Sequence, residues 1–260
     1  MPRFAANLGF LFTERPLIER VSAAARAGFQ AIELQFPYDV PAKALKAEID
    51  ACGLTVLGIN TRPGRSGESG LTAVPGRERD FAALFAQALD YVVAIGGRAI
   101  HCMAGIVPPE QRPAAERVFI GNLSEAAELA AGKGITILIE AINPRDRPNY
   151  FLTRPEHAAD IIGKIGRDNV KIQFDFYHAQ IVGGDLMKRF EACFPRVGHV
   201  QIAAVPSRAE PDEGEVNYPA IFTMLDGAGY GGWIGCEYHP RGRTEDGLAW
   251  ARAYGVTPRG

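Results

Sequence analysis

Ile137-Leu138-Ile139-Glu140 is a short apolar run closed by a carboxylate. The chain repeats the device in Ile172-Gln173-Phe174-Asp175, His199-Val200-Gln201 and Ile234-Gly235-Cys236-Glu237. The closing residues recur at roughly one strand-plus-helix unit, the spacing of parallel strands joined by helical crossovers. Four acceptors delivered by four consecutive strand ends can converge on one point. An all-oxygen set suits a hard cation, Mg²⁺ or Mn²⁺, over zinc, which would favour histidine and thiolate.

Working outward, the same alternation runs from end to end. Strand-like runs are Phe4–Leu8, Ala31–Leu34, Val56–Ile59, Ala99–Cys102, Ile135–Glu140, Val170–Asp175, His199–Ile202 and Trp233–Glu237. Amphipathic stretches near 16–27, 41–52, 78–95, 112–132, 154–163, 184–193, 217–228 and 243–253 separate and follow them. Prolines stand at several helix entries (Arg15-Pro16, Val40-Pro41, Arg154-Pro155) and glycines at the exits (Gly28, Gly53, Gly132, Gly229). The pattern predicts an α/β protein, a single (β/α)8 TIM barrel domain over 1–260 with its active site at the C-terminal strand ends. A doubly wound sheet would carry a phosphate loop after an early strand. The one Gly-x-Gly-x-x-Gly, from Gly227 to Gly232, instead follows a helix and precedes a strand.

With 47% hydrophobic and 22% charged residues the composition is that of an ordinary globular protein. A formal charge of −2 offers no basic field for nucleic acid or an anionic membrane. No apolar run is long enough to span a bilayer, and the N-terminus has no signal-peptide pattern. The four cysteines are scattered, so the expectation is a reduced, cytoplasmic protein without disulfides. Two segments after strands, Arg62–Arg77 and Ala203–Val216, are long for simple loops and belong on the catalytic rim.

Side chains alternate faces along a strand. Glu140 therefore shares a face with Leu138 and Thr136, and Glu237 with Gly235 and Trp233, while Ile137, Ile139 and Cys236 point towards the helices. Lys171 and Gln173 share the face of Asp175, where polar groups need partners. Two glutamates flanking a chelated substrate suit proton abstraction beside a carbonyl, one removing the proton and the other returning it at the neighbouring carbon. His178, on a strand-end loop, is expected to touch substrate or support a ligand. His101 closes the fourth strand and is a candidate to line the site, whereas His199 lies deeper and reads as a buried, hydrogen-bonded histidine. Arg208 is the candidate partner of an anionic substrate. Asp146 either binds a substrate hydroxyl or pairs with Arg145.

As a set, Glu140-Ala-Ile-Asn143-Pro-Arg-Asp146, Gln173-Phe-Asp175-Phe-Tyr-His178-Ala-Gln180, His199-Val-Gln201-Ile-Ala and Gly235-Cys-Glu237-Tyr resemble the hydroxypyruvate isomerase family, within the xylose-isomerase-like TIM barrels. Ala6-Asn7-Leu8, Leu11-Phe12-Thr13-Glu14 and Phe36-Pro37-Tyr38-Asp39 extend the likeness over nearly the whole chain. The resemblance implies aldose–ketose isomerisation of a small sugar acid, hydroxypyruvate to tartronate semialdehyde or a 2-oxo-tetronate. It implies Glu140 and Glu237 as the proton-transfer pair and Glu140, Asp175, Gln201 and Glu237 as metal ligands. Homo-oligomers are common among such barrels.

This chain departs from the family pattern at Ala141, at Ala204 and Ser207 in the rim loop, and at His239-Pro240-Arg241. These positions bear on the substrate rather than on the ligand set. Three other functions compete. A ketose 3-epimerase would use the same glutamates at one carbon. A DNA-repair endonuclease would want several zinc-binding histidines and a basic groove, against five histidines in all and a net charge of −2 here. A metal-binding barrel without turnover is the third.

Overall fold

The computed structural model describes residues 1–259. Nine parallel strands form one sheet: β1 (Arg3–Asn7), β2 (Ala31–Glu33), β3 (Thr55–Val56), β4 (Gly58–Asn60), β5 (Ala99–His101), β6 (Thr136–Glu140), β7 (Val170–Asp175), β8 (Val197–Ile202) and β9 (Trp233–Cys236). Their order is β3-β2-β1-β9-β8-β7-β6-β5-β4. The sheet's two ends are consecutive in the chain, so it curls into a barrel. Leu57 joins them: its N–H donates to Ile32 O at 2.9 Å and its carbonyl accepts from Arg98 N at 3.2 Å. Leu34 N also donates to Gly58 O at 3.0 Å. The single third strand expected over 56–59 is thus two short pieces flanking Leu57, because that segment serves both neighbours at the barrel seam.

Helices α1 (Leu17–Arg26), α2 (Ala42–Cys52), α3 (Glu78–Ala94), α4 (Arg112–Ala131), α5 (Pro155–Ile165), α6 (Phe176–Gly183), α7 (Leu186–Cys193) and α8 (Tyr218–Gly227) follow the strands. The punctuation behaves as its chemistry requires. Pro155 opens α5 in its first turn, and Gly166, at φ 64°, ends it in the left-handed region that costs glycine little. The Asn217 side chain caps α8 by accepting from Ala220 N at 3.2 Å.

Two expectations need correction. The segment 176–183 is helix α6, so His178 stands in a first helical turn rather than on a loop. Asp175 nucleates that turn by accepting from Tyr177 N at 2.8 Å, and Phe176 and Tyr177 bury its apolar side. The last helical stretch, Thr244–Tyr254, is wound as a 3₁₀ helix.

The strand parity expected from sequence is what the barrel shows. Thr136, Leu138, Lys171, Gln173, His199, Gln201 and Trp233 all line one interior cavity of about 340 Å³. Ile137, Ile139, Ile172, Val200 and Cys236 are buried in the apolar core. Neighbouring registers then place the strand-end residues side by side: Glu140 beside Gln173, Asp175 beside Gln201, and Gln201 beside Gly235.

Candidate active site

At the C-terminal ends of the strands lies a cavity of about 260 Å³. Glu140, Glu237, His101, His178, Asp146 and Arg208 all line it. His101 also lines the interior cavity below, so the two spaces meet at that ring. Both rim segments contribute: Pro63, Glu68 and Ser69 from the first, Arg208 from the second.

Glu237 follows β9 and is fully engaged. Its Oε2 accepts from Asn7 Nδ2 at 2.9 Å and Gln201 Nε2 at 2.7 Å, and its Oε1 accepts from Arg208 Nη2 at 2.9 Å. Glu140, ending β6, has one close donor, Gln173 Nε2 at 3.1 Å from Oε2. His101 Nδ1 stands 3.6 Å from the same oxygen, and His178 Nε2 is 3.7 Å from Oε1. Burial first, and then the charges of Glu237 and Asp175, push the Glu140 carboxyl well above its ordinary range. Burial also raises Glu237, against the pull of Arg208, and likewise raises Asp175. Burial holds the His101 imidazole down to about 3, with His199 adding to the effect, so the ring is neutral.

Arg208 reaches into this acidic group, and its guanidinium is closely held. It pairs with Asp146 Oδ2 at 3.2 Å and Glu237 Oε1 at 2.9 Å. It also lies 4.9 Å from the ring centroids of both Phe10 and Tyr177. Burial works against its charge, but the carboxylates, Glu237 foremost, more than offset this and raise its pKa. Asp146 therefore pairs with Arg208, not with Arg145, and it also accepts from the Tyr177 hydroxyl at 3.2 Å.

The rim departures are structural parts of the Arg208 loop. Ser207 Oγ donates to Glu213 Oε1 at 2.9 Å, and Arg241 pairs with Glu210, Asp212 and Glu213 at 2.9, 2.7 and 2.7 Å. His239 donates its backbone N–H to Arg208 O at 2.8 Å and packs on Phe10 at 4.6 Å between ring centroids. Ala204 is buried beneath this loop, accepting from Arg208 N at 2.8 Å.

The donor set fits a hard cation. Glu140 Oε1, Asp175 Oδ2, Gln201 Oε1 and Glu33 Oε1 are buried and have no hydrogen-bond partner among the described residues. Buried oxygens are rarely left unpaired, and a group of them facing a polar cavity is what a cation satisfies. Glu140, Asp175 and His178 have ligand atoms within 4.8 Å of one another.

Sequence reasoning passed over two residues of this site. Glu33, closing β2, accepts from His199 Nε2 at 2.7 Å and from Gln201 Nε2 at 3.1 Å. Asn7, closing β1, holds Glu237. The signal was present in both: Ala31-Ile32-Glu33 and Ala5-Ala6-Asn7 are apolar runs ending in an oxygen donor, like the four that were singled out.

Residues 21–254 match the family model described as xylose isomerase-like TIM barrel, and the chain belongs to that family. It is 48% identical to the 2-oxo-tetronate isomerase of Cupriavidus necator, over 98% of this chain and 99% of that protein. It is 38% identical to the hydroxypyruvate isomerase of Escherichia coli, over 98% of this chain and all of the other. These relatives make the chain an isomerase. Among solved structures, the AP endonuclease, family 2, of Brucella melitensis superposes with a TM-score of 0.96 at 46% identity, covering 98% of this chain and 99% of that one.

Proposed function

We propose that the protein moves the carbonyl of an α-hydroxy ketone to the neighbouring carbon of a small sugar acid, giving an aldehyde from hydroxypyruvate or a second ketone from a 2-oxo-tetronate, with Glu140 and Glu237 as the proton-transfer pair. The observation that carries this reading is the pair itself. Two buried carboxyls, from strands three places apart in the sheet, face one small cavity that Arg208 also lines. One carboxylate removes the C–H proton beside the carbonyl, leaving an enediolate. The other carboxyl delivers a proton to the neighbouring carbon, while the hydroxyl proton passes to the former carbonyl oxygen. The two carboxyls end the turnover with their protons exchanged.

Arg208 gives the substrate carboxylate a planar, always-charged partner. Phe10 and Tyr177, each with its ring centroid 4.9 Å from the guanidinium carbon, help to hold it in place. A Mg²⁺ or Mn²⁺ held by Glu140, Asp175, Gln201 and Glu237 would supply positive charge to the substrate's oxygens as the enediolate develops. The orphaned oxygens of Glu140, Asp175 and Gln201 support that assignment. A nucleic-acid substrate finds no support in the composition, in which 28 basic residues are outnumbered by 30 acidic ones.

The test is an assay of hydroxypyruvate, 2-oxo-tetronates and ketohexoses with Mg²⁺ or Mn²⁺, run in D₂O. Isomerisation moves the carbonyl and incorporates label at the neighbouring carbon. Inversion at one carbon without carbonyl movement would show an epimerase instead, and turnover unaffected by rigorous chelation would remove the metal from the scheme.

A further inference from the structure

Glu140, Asp175 and His178 could together share one ion by distance alone, yet the surroundings of His178 decide otherwise. Asn143 Oδ1 accepts the backbone N–H of Asp146 at 2.9 Å, which fixes which end of that amide is oxygen. The other end, Nδ2, faces His178 Nδ1 at 2.7 Å. The backbone N–H of Asn143 points at the same ring nitrogen at 3.4 Å. Both neighbours of Nδ1 are donors, so Nδ1 must present its lone pair. The ring's proton then sits on Nε2, 3.7 Å from Glu140 Oε1 and 3.7 Å from Asp175 Oδ2.

A histidine that ligates a metal shows the opposite arrangement. Its far nitrogen carries the proton and donates it to a carboxylate, a carbonyl or water. Here the far nitrogen meets only N–H groups, and a protonated Nε2 has no lone pair for a cation. Asn143 and His178 are both buried, so solvent offers neither an alternative partner.

We propose that Asn143 is a positioning residue that locks His178 as its Nε2–H tautomer. The lock keeps this histidine out of the ligand set and turns it into a neutral N–H donor facing the cavity. Its consequence is selectivity: with this imidazole unable to ligate, the Glu140–Asp175–His178 group offers a cation only carboxylate oxygen, which favours hard cations. This consequence rests on reading the cavity as a metal-assisted isomerase centre, whereas the tautomer itself does not.

The informative substitution is Asn143→Asp. It keeps an acceptor for the Asp146 N–H and replaces the donor at His178 Nδ1 by an acceptor, so Nδ1 should take a proton. Long-range ¹H–¹⁵N spectra of the metal-free protein labelled at histidine, with His178 assigned from a His178→Gln spectrum, read this directly. The wild type should show Nδ1 unprotonated and Nε2–H, and Asn143→Asp should show Nδ1 protonated. Zinc affinity relative to Mn²⁺ should rise at least tenfold in Asn143→Asp.

His178→Gln supplies a second readout that does not depend on how Asn143→Asp folds. Its Mn²⁺ affinity by titration should stay within about twofold of the wild type. A wild-type spectrum with the proton on Nδ1 would overturn the proposal, as would a tenfold loss of Mn²⁺ binding in His178→Gln. A correct tautomer in a protein without turnover on any sugar acid would instead count against the isomerase reading alone.

Discussion

Glu140 and Glu237 occupy the two sides of one cavity, but their surroundings differ in kind. On the Glu237 side, Asn7, Gln201 and Arg208 supply three donors within 2.9 Å. On the Glu140 side a single amide at 3.1 Å is joined only by two neutral imidazoles at 3.6 and 3.7 Å. Donors stabilise a carboxylate, and burial without them stabilises the acid. Burial raises both carboxyls, Glu237 to about 8, but Arg208 and Gln201 work against that rise on the Glu237 side, while Glu140 has far less to oppose it. Environments that separate two carboxyls in this way are how one site supplies a base and an acid at once. On the Glu140 side, Glu140 Oε1 and Asp175 Oδ2 are buried without a hydrogen-bond partner among the described residues.

The largest expected effect removes either member of the pair. Glu140→Gln and Glu237→Gln keep size and shape and should each lower kcat about 10²- to 10⁴-fold, the usual worth of a positioned acid or base. Steady-state kinetics on hydroxypyruvate and a 2-oxo-tetronate checks this. Full activity in either variant would break the two-carboxylate scheme and leave the asymmetry without catalytic meaning.

The next effect belongs to Arg208, which touches Glu237 and Asp146 and lines the same cavity as Glu140. Arg208→Gln should raise KM for the sugar acid by about 10- to 100-fold, the range expected for losing hydrogen bonds to a charged partner. It should change KM far less for an analogue whose carboxylate is replaced by a hydroxymethyl group. An equal loss on both substrates would mean that Arg208 shapes the site rather than reading the substrate's charge.

That the two glutamates face one cavity was legible in the sequence, because period-two alternation and strand-end position are local properties. Their inequality was not. It depends on Asn7 from β1 and Gln201 from β8 converging on Glu237, and these pairings are set by barrel closure between residues 230 and 36 positions apart. Glu33 was missed for a different reason: its strand was expected over Ala31–Leu34, so Leu34 and not Glu33 stood at the strand end, whereas β2 closes at Glu33. His178 was placed on a loop because one capping carboxylate, Asp175, decides that the chain turns helical there. The long-range companions of Glu210, buried and clamped by Arg241, lay equally outside local reading. Composition and pattern can say which face a residue takes, but only closure says who meets it.

Stability sharpens the comparison at smaller scale. In the metal-free protein, Glu140→Gln removes a buried carboxyl that burial and two like charges already disfavour as an anion. It should stabilise the fold by about 1 kcal/mol, as relief of a strained functional site commonly does. Glu237→Gln leaves the guanidinium of Arg208 with Asp146 as its remaining close carboxylate, and should cost about 1–3 kcal/mol. Urea denaturation after chelation measures both. Changes of the same sign would show that the two sides are not opposed in the way their hydrogen bonds indicate.

The smallest effect is the pH dependence of that stability. Glu140 is raised above its ordinary value of 4.5, so the folded state binds more protons than the unfolded state once the pH exceeds that value. Stability then falls as pH rises, because the unfolded chain ionises freely while the folded one resists. The contribution is fully present below about pH 4.5 and is lost progressively through neutrality. Between pH 5 and 8 the chelated wild type should lose about 1 kcal/mol more than chelated Glu140→Gln, whose profile should be flatter. Saturating Mn²⁺ should remove the wild type's decline, because a cation rewards the ionised carboxylate that burial alone penalises. A decline of equal slope in Glu140→Gln would assign the proton uptake to Asp175 or Glu237 instead, and would mean that the better-satisfied side is the one that resists ionisation.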